Sequence, residues 1–570
     1  MDKSLRNQRH LKFAVALWFI TLTVYASQPP QAAIASAHPM ATMVGMQILK
    51  QGGNAFDAAV AVAATLAVVE PFDSGLGGGG FFLLHSAQTN QDSFLDAREM
   101  APSLATATMF QNEKGEVNPT LSLFGPLAAA IPGEPAGLVY IAEHFGHLSL
   151  KQDLAPAIQF AKDGFPVTPD YLEKVSSPDI LENLQREPGA SKIFLQNGHV
   201  PALGTFIRQP ALAKTLEVIA EHGHAGFYQG NIGKEITRAV NAGGGRWGEH
   251  DLANYKTHMR TPLTLSYKGW QVVTAPPPSA GGIAIGEMLG LVSRYDLNSM
   301  SDVQRHHILI EAMRLAYWDR DRYLGDPDFV SVPVERMLSI QHFSELQKWI
   351  KPNKATMSSE LRTDNPPSPF GLRRTQPSSN TTHFSILDKQ GNYVAVTLSI
   401  NLPFGSGFIA GTTGVLLNDH MDDFATKKSA PNAFGLVGSN ANQIAPAKRP
   451  LSSMSPTFVR NSEQVGILGT PGGSHIPTAI LLAILDLTTG HPPLSWVSLP
   501  RFHHQYQPDI VDFEKNTLTP ELKKELLSMG YKINDSSQTW NNLQAILWNL
   551  PNNQVKAASD PRHGGLAWVE

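Results

Sequence analysis

The chain has 570 residues, of which 42% are hydrophobic and 16% charged, and its formal net charge is -4. This balance is typical of a folded globular protein with a large core, and it offers no basic excess that would attract nucleic acid. The absence of cysteine excludes disulfides, zinc–thiolate sites, iron–sulfur clusters and cysteine catalysis.

The N-terminal 26 residues have the pattern of a secretion signal. Four Lys or Arg residues precede a mostly apolar run, Phe13–Val24, and residues 24–26 (VYA) fit a small-x-small cleavage site. The apolar run is too short to span a bilayer comfortably. We therefore expect residues 1–26 to be a signal peptide that takes the protein across the inner membrane into the periplasm, with no stable membrane span afterwards. A retained single-span anchor is the alternative.

A buried helix is predicted next, beginning at Asp57 as its N-cap and ending at Glu70, because the sequence between them is apolar nearly all round. Residues 74–80 (SGLGGGG) follow, and then a predicted strand at Phe81–Leu84. The glycine run matches G-x-G-x-x-G, but a dinucleotide site requires the strand before the glycines and the helix after them. Since the order is reversed here, we interpret these glycines as positions where backbones pass closely.

A long amphipathic helix is predicted at residues 303–323. It contains the pair His306–His307, and a second pair, His503–His504, lies near the C-terminus. No further metal ligands stand at a suitable spacing, so we interpret both pairs as packing or surface histidines.

Residues 351–380 are polar, rich in Pro, Ser, Asn and Arg, and lack periodicity, which predicts an exposed cleavage region or linker. A β-hairpin is predicted directly after it, with strands at 381–387 and 393–400 around a turn at 388–392. If the hairpin is centred on Gln390, residues whose numbers sum to about 780 face each other.

In that register Thr381 lies opposite Ser399, and Asn401 follows two residues later on the same face. Three hydroxyl or amide side chains would therefore converge at one end of the hairpin. Composition alone favours an ordinary strand rich in Thr and Ser.

Several further blocks in a fixed order change this interpretation. The sequence contains GGNAFDAAVAVAATLAVVEP, LDAREMAP, AIPGEPAGL, PPPSAGGI, TTHFSILDKQGNYVAVTLSIN, LLNDHMDDF, KRPLSSMSPT and GTPGGSHIPTA. With these blocks the chain resembles the γ-glutamyltransferase family of N-terminal-nucleophile hydrolases over nearly its whole mature length. The TTHFS, PLSSMSP and PGGS motifs together are the most specific part of that resemblance.

The resemblance implies an α+β fold, a four-layer αββα sandwich. It also implies a precursor that cleaves itself between Asn380 and Thr381 into a large subunit, 27–380, and a small subunit, 381–570. The two subunits would associate as a heterodimer that forms one globular unit. The freed α-amine of Thr381, with an ordinary pKa of about 7.7–8.0, would accept the proton of the Thr381 hydroxyl.

Site roles also follow from the resemblance, residue by residue. Thr381 would be the nucleophile, Ser399 would hydrogen-bond its side chain, and the N–H groups of Gly472 and Gly473 would form the oxyanion hole. The residues expected to bind the donor's amino-acid end are Arg98, Asn401, His420, Asp423, Ser452 and Ser453. The donors would be glutathione and other γ-glutamyl compounds, the acceptors water, amino acids or dipeptides, and no cofactor or metal is implied.

Three residues depart from the family pattern. Ser399 stands where threonine is expected, which keeps the hydroxyl. His420 replaces the usual Gln or Glu, and when protonated it would repel the donor's ammonium group. Phe434, within the expected lid loop Lys427–Pro450, replaces a tyrosine whose hydroxyl would latch the lid to Asn401.

Two alternatives stay open at this point. One is a glutaryl-type acylase of the same superfamily, whose substrate lacks the α-amine; the retained Asp423 argues against it. The other is a processing-dead periplasmic binding homologue, to which His420 and Ser399 lend slight support.

Overall fold

The computed structural model describes residues 28–361, 380–427 and 430–570. The predicted signal peptide lies outside these residues, as does most of the predicted cleavage region. From that region, residues 351–361 and Asn380 are described.

The described residues form helices and mostly antiparallel strands. The helices are α1 Pro39–Lys50, α2 Ala55–Val69, α3 Pro119–Leu123, α4 Glu134–Phe145, α5 Leu150–Asp163, α6 Pro169–Val175, α7 Pro178–Arg186, α8 Pro188–Phe194, α9 Pro210–Tyr228, α10 Gly230–Ala242, α11 Asp251–Asn254, α12 Gly281–Val292, α13 Asp302–Tyr323, α14 Val334–Met337, α15 Ile340–Gln347, α16 Ile476–Thr488, α17 Pro493–Ser498 and α18 Pro520–Ser528. The strands are β1 Ala33–Ser36, β2 Gly79–Ser86, β3 Gln91–Ala97, β4 Phe165–Pro166, β5 Phe206–Ile207, β6 His258–Arg260, β7 Leu263–Tyr267, β8 Trp270–Thr274, β9 Thr382–Leu387, β10 Tyr393–Ser399, β11 Thr457–Arg460, β12 Gln464–Gly469, β13 Phe502–His503, β14 Val511–Phe513, β15 Ile533–Asp535, β16 Gln544–Asn549, β17 Gln554–Ser559 and β18 Leu566–Val569.

Two large sheets lie at the centre. One has the strand order β18-β1-β9-β10-β2-β3-β6 and the other β17-β16-β12-β11-β8-β7. Alternate residues of β2 separate the two cores: Phe82 and Leu84 pack with α2, α4 and α5, whereas Phe81 and Leu83 pack with the second sheet and with α12, α13 and α16. Helices therefore cover the outer face of each sheet, which confirms the predicted αββα sandwich.

The hairpin has the predicted register. Tyr393 pairs with Leu387 and Leu398 pairs with Thr382, and both pairs sum to 780. β9 begins at Thr382, one residue later than predicted, because Thr381 has a φ of 93° and leaves the extended region. β9 lies between β1 and β10, so it is an interior strand of the larger sheet.

The first buried helix is present, but its start differs from the prediction. Asn54, not Asp57, is the N-cap of α2, and its side chain accepts from the N–H groups of Phe56 and Asp57. Asp57 instead closes a capping box by accepting from the Asn54 N–H at 2.7 Å. The helix precedes the glycine run and β2 follows it, as predicted. A Cβ on Gly80 would lie 2.2 Å from the Thr397 carbonyl oxygen, which confirms the close backbone passage.

The long helix and the paired histidines also agree with the prediction. α13 covers Asp302–Tyr323, and His307 within it is buried between the Tyr531 hydroxyl and the Lys351 carbonyl, each at 2.6 Å. His503 and His504 are buried as well. No helix among the described residues is long and apolar enough to cross a bilayer.

Candidate active site

One cavity collects most of the predicted site residues. It encloses about 360 Å³, including the part open to solvent. Eight of the ten predicted residues line it, namely Thr381, Ser399, Asn401, His420, Asp423, Ser452, Ser453 and Gly473. The other two are immediate neighbours: Arg98 pairs with Asp423, and Gly472 precedes Gly473 in the chain.

Hydrogen bonds between neutral groups hold Thr381, the predicted nucleophile, in one part of this cavity, which is called the neutral end below. The Thr381 hydroxyl donates to the Ser399 hydroxyl at 2.8 Å, and Ser399 in turn accepts from the Asn401 N–H at 2.9 Å. Thr381 is only 5% exposed. The loss of a methyl group at Ser399 therefore leaves the expected hydroxyl contact in place.

The Asn401 side chain is held in place by Asp419. Its amide nitrogen donates to the Asp419 carbonyl at 3.2 Å and to the Asp419 carboxyl at 3.0 Å. Burial raises the pKa of Asp419 well above its usual value. Asn401 has a φ of 81°, a conformation that asparagine tolerates better than most residues.

The glycine pair lies next to the bond predicted to be cleaved, Asn380–Thr381. The Gly472 N–H donates to the Asn380 carbonyl oxygen at 3.2 Å. The φ angles of Gly472 and Gly473 are 130° and 55°, both in the region that favours glycine. A Cβ at Gly473 would lie 2.5 Å from the Phe434 ring, so neither conformation nor space admits a side chain there.

Charged groups form another part of the site, which is called the charged end below. Arg98 is fully buried, with Nη2 2.5 Å from Asp423 Oδ2, Nη1 3.0 Å from Glu99 Oε2, and Nε donating to the Pro450 carbonyl at 3.2 Å. The cation and the anion predicted to hold the two charges of an amino acid are therefore paired with each other in the free site.

Glu99 joins this end to His420. Its Oε1 lies 2.8 Å from His420 Nδ1. Burial alone would raise the pKa of Glu99, but the nearby His420 and Arg98 outweigh it and lower that pKa below its usual value. Glu99 is thus an anion that faces the histidine found where Gln or Glu was expected.

The predicted lid loop covers the cavity. Phe434 lines the cavity, and its carbonyl accepts from Gln505 Nε2 at 3.0 Å. Nearby, the Ala433 N–H donates to Asp422 Oδ2 at 2.8 Å and Asn432 Nδ2 donates to Asp423 Oδ1 at 3.3 Å. These bonds attach the loop without the phenolic hydroxyl that Phe434 lacks.

Sequence reasoning missed Arg320 and Glu99. Arg320 projects from α13 into the cavity lining, pairs with Asp321 at 2.8 Å, and donates to the Val437 carbonyl of the lid loop at 3.2 Å. The sequence feature that could have indicated Arg320 is the run of charged residues DRDR at the end of a helix that is mostly buried. The feature that could have indicated Glu99 is its position beside Arg98.

Comparison with known proteins identifies the family of the chain. A sequence profile of γ-glutamyltranspeptidases matches residues 41–569. The chain belongs to the γ-glutamyltranspeptidase family. It is 40% identical to a Pseudomonas sp. (strain A14) protein named glutathione hydrolase proenzyme, over 99% of this chain and 100% of that one. It is also 40% identical to the protein of that name from Escherichia coli (strain K12), over 93% and 90% of the two chains.

Solved structures agree with this family and its fold. A cephalosporin acylase from Bacillus halodurans superposes with a TM-score of 0.81 and 25% identity, covering 98% of this chain and 99% of that one. The γ-glutamyltranspeptidase of Helicobacter pylori superposes with a TM-score of 0.56 and 37% identity, covering 57% of this chain and 94% of that one. Sequence identity is thus higher to the γ-glutamyltranspeptidase than to the acylase.

Proposed function

We propose that this protein is a self-processing γ-glutamyl hydrolase and transferase that cleaves the γ-glutamyl bond of glutathione and related donors. The observation that carries the proposal is the position of the Thr381 hydroxyl. It lies 2.8 Å from Ser399 in a cavity that Asp423 also lines, and Asp423 is paired with the buried Arg98, so that a cation and an anion suited to an amino-acid zwitterion lie together. The names of the relatives support glutathione as the donor.

Maturation comes first in this mechanism. The Thr381 hydroxyl attacks the Asn380 carbonyl carbon, the Asn380–Thr381 C–N bond breaks, and the Thr381 nitrogen takes up the hydroxyl proton. Water then hydrolyses the resulting ester, which regenerates the hydroxyl and leaves a carboxylate on Asn380. The Gly472 N–H, already 3.2 Å from the Asn380 oxygen, supports this step because it would stabilise the oxyanion.

The two subunits are expected to stay together after the cut. β9, which starts the small subunit, pairs on one side with β1 of the large subunit and on the other with β10. Separating the two pieces would therefore expose the edge of β9 that pairs with β1 and the edge of β10 that pairs with β2.

Turnover repeats the same chemistry on the donor. The Thr381 hydroxyl gives its proton to the Thr381 α-amine and attacks the γ-carbonyl carbon, forming an oxyanion held by the N–H groups of Gly472 and Gly473. The oxyanion collapses and the γ-glutamyl C–N bond of the donor breaks. The donor's leaving amine takes up that proton from the Thr381 α-amine, and a γ-glutamyl ester of Thr381 remains. Water, an amino acid or a dipeptide then attacks the ester and releases glutamate or a new γ-glutamyl compound.

Donor recognition is assigned to the charged end. The α-carboxylate would bind Arg98, with hydrogen bonds from Ser452 and Ser453, and the α-ammonium would bind Asp423 beside Asn401 and His420. When a donor binds, Arg98 would pair with its α-carboxylate and Asp423 with its α-ammonium, so each charge of the donor has a partner of opposite charge. A buried ion pair that loses one partner is costly, so a donor that supplies both charges is favoured over one that supplies a single charge.

A glutaryl-type acylase is the second candidate, favoured by the superposition with the cephalosporin acylase. A glutaryl group has no α-ammonium and would leave Asp423 without a partner from the substrate. Asp423 therefore favours the γ-glutamyl assignment.

We also propose secretion to the periplasm, supported by the charge and apolar pattern of residues 1–26. Osmotic-shock fractionation of expressing cells tests this, and recovery of the mature protein in the spheroplast fraction alone would contradict it.

The deciding experiment compares wild type, Thr381→Ala and Thr381→Ser on a denaturing gel, with a γ-glutamyl-anilide assay on each. We expect two bands and turnover for wild type, one uncut band and no turnover for Thr381→Ala, and cleavage with reduced turnover for Thr381→Ser, which keeps a hydroxyl. A single wild-type band without turnover would instead favour a binding protein.

A further inference from the structure

Three helices bring together a cluster of potential metal ligands that the proposed reaction does not use. Glu287 comes from α12, Asp319 from α13 and His342 from α15. One ligand atom of each residue lies within 4.8 Å of the other two. Glu287 and Asp319 are fully buried, whereas the His342 side chain is 12% exposed and so marks the solvent side of the cluster.

The hydrogen bonds within this cluster leave one of its carboxyl groups, Glu287, without a donor. His342 Nε2 lies 2.5 Å from Asp319 Oδ2 and 3.4 Å from Glu287 Oε1. His342 Nε2 carries at most one proton, and that proton is directed toward the closer acceptor, Asp319 Oδ2. Among the described residues, neither oxygen of Glu287 has a hydrogen-bond donor. A fully buried carboxyl group aimed at two other ligands, without a donor of its own, is costly in a protein core.

The surrounding charges supply the missing partner only in part. Contacts with Asp319 and then Glu287 raise the pKa of His342 to about 9, so its ring is a cation 3.4 Å from Glu287 Oε1. Arg322 Nη1 is 3.3 Å from the other oxygen of Asp319, Oδ1. Arg336 lies over the Tyr323 ring, 4.7 Å from its centroid, and adds a second positive charge at the edge of the cluster. These guanidinium groups offset part of the charge of Asp319 but leave Glu287 without a hydrogen bond.

We propose that Glu287, Asp319 and His342 bind one divalent transition-metal ion, of which Zn²⁺ is the representative. One imidazole nitrogen and two carboxylate oxygens form a donor set that such ions accept, and the nitrogen disfavours Mg²⁺ and Ca²⁺. Metal–ligand bonds of about 2.0–2.2 Å place ligand atoms roughly 3–4 Å apart. The present separations of 2.5 and 3.4 Å therefore need only small side-chain shifts.

The ion would act as a clip between helices and not as part of the chemistry. It would tie α12, α13 and α15 together on the outer layer of the second sheet. α13 also carries Arg320, which lines the donor cavity, and Tyr317, whose hydroxyl donates to the Ser474 carbonyl. The expected result of binding is a more stable outer layer beneath the donor cavity.

The rival occupant of the cluster is a proton. Burial, followed by the charge of Asp319, raises the pKa of Glu287 well above its usual value, so a neutral acid is the state expected without metal. A metal ion has to displace that proton and also the proton on His342 Nε2, and the test is designed to distinguish metal from protons as the occupant.

The test titrates ZnCl₂ into untagged, EDTA-dialysed mature protein by isothermal calorimetry, and measures melting temperature with and without Zn²⁺. The variants are His342→Gln and Glu287→Gln. The matched control is His491→Gln, which removes an exposed histidine 2.6 Å from a single carboxylate, Asp486, with 58% of its side chain exposed. Turnover of a γ-glutamyl anilide checks that each variant has folded.

We expect wild type and His491→Gln to bind one tight equivalent of Zn²⁺ and to melt at a higher temperature with it. His342→Gln and Glu287→Gln should each bind that equivalent roughly 100-fold more weakly or lose it. Without metal, Glu287→Gln should melt no lower than wild type, because an amide replaces a carboxyl group that lacks a donor.

Equal stoichiometry and affinity in all four proteins would overturn the site, as would the absence of a tight equivalent in wild type, which would leave the proton as sole occupant. Displacement of Zn²⁺ by an equal concentration of Mg²⁺ would overturn the assigned class of metal.

Discussion

Two parts of the candidate active site are built from different interactions. At the neutral end, which holds the proposed nucleophile, a hydrogen bond joins the hydroxyl groups of Thr381 and Ser399, and Gly472 contributes a backbone N–H. At the charged end, which is proposed to recognise the donor, Arg98 and Asp423 form a buried ion pair in contact with Glu99, which also contacts His420.

The difference indicates a division of labour. The neutral end has its atoms fixed by strand register and by glycine conformation, which suits a reaction that needs a hydroxyl and N–H groups in set positions. At the charged end Arg98 is paired with both Asp423 and Glu99, and we expect these partners to be exchanged when a zwitterion enters. Reactivity should therefore depend on geometry at one end, and selectivity on charge at the other.

The largest expected effect comes from disturbing the geometry of the neutral end. Gly473→Ala introduces a Cβ at a φ of 55° and 2.5 Å from the Phe434 ring, which displaces a proposed oxyanion donor. We expect kcat for a γ-glutamyl anilide to fall about 100- to 1,000-fold. The measurement is steady-state kinetics on cleaved protein, with the cleaved fraction read from a gel.

Gly490→Ala is the control for that prediction. Gly490 has a φ of 90°, and no atom lies within 4 Å of the added Cβ, so it carries the conformational cost alone. Its kcat should stay within about twofold of wild type. Similar kinetics for both variants would mean that Gly473 plays no part in stabilising the oxyanion.

Removing one charge from the charged end is expected to have an intermediate effect. Asp423→Asn deprives both Arg98 and the donor's ammonium of an anion. A lost charge-assisted hydrogen bond of about 1.5–3 kcal/mol corresponds to a roughly 10- to 100-fold lower kcat/KM for γ-glutamyl donors. The loss should be much smaller for glutaryl donors, so the ratio of the two substrates shifts toward the des-amino compound.

Asp422→Asn is the control for that prediction, because it removes the carboxylate next to Asp423 in the chain. Asp422 is buried, accepts from the Ala433 N–H of the lid loop, and does not line the cavity. It should leave the ratio of γ-glutamyl to glutaryl kcat/KM unchanged. An unchanged ratio in Asp423→Asn as well would remove Asp423 from donor recognition.

The smallest effect is expected from replacing His420, which lines the cavity with its Nδ1 2.8 Å from Glu99 Oε1. His420→Gln keeps a hydrogen-bonding side chain at the proposed ammonium site, so KM for a γ-glutamyl anilide should change by no more than about threefold. The measurement is steady-state kinetics on cleaved protein. A much larger rise in KM would show that donor binding depends on the imidazole itself.

Features with a short sequence range were predictable. The register of β9 and β10 follows from a turn and a two-residue period, so the contact between Thr381 and Ser399 could be predicted within one hairpin. The start of α2 was predicted less well, because Asn54 and Asp57 both fit a cap and only the backbone geometry selects Asn54.

Contacts between distant segments were not predictable from the residues alone. Arg98 and Asp423 are 325 positions apart, and only the family resemblance placed them in one site. Their direct pairing, and the contact of Glu99 with His420, depend on how loops from distant parts of the chain meet. The cluster of Glu287, Asp319 and His342 depends on the rotation of three helices about their axes, which hydrophobic periodicity does not fix.

The hydrogen bond between the Gly472 N–H and the Asn380 carbonyl would set the timing of activity under the proposed mechanism. A single N–H can serve one strong acceptor at a time, and in the continuous chain that acceptor is the protein's own backbone. An uncut chain would therefore compete with free donors for this amide at a high effective concentration. If the chain is cut at Asn380–Thr381 as proposed, the amide would become available to outside substrates only after the cut.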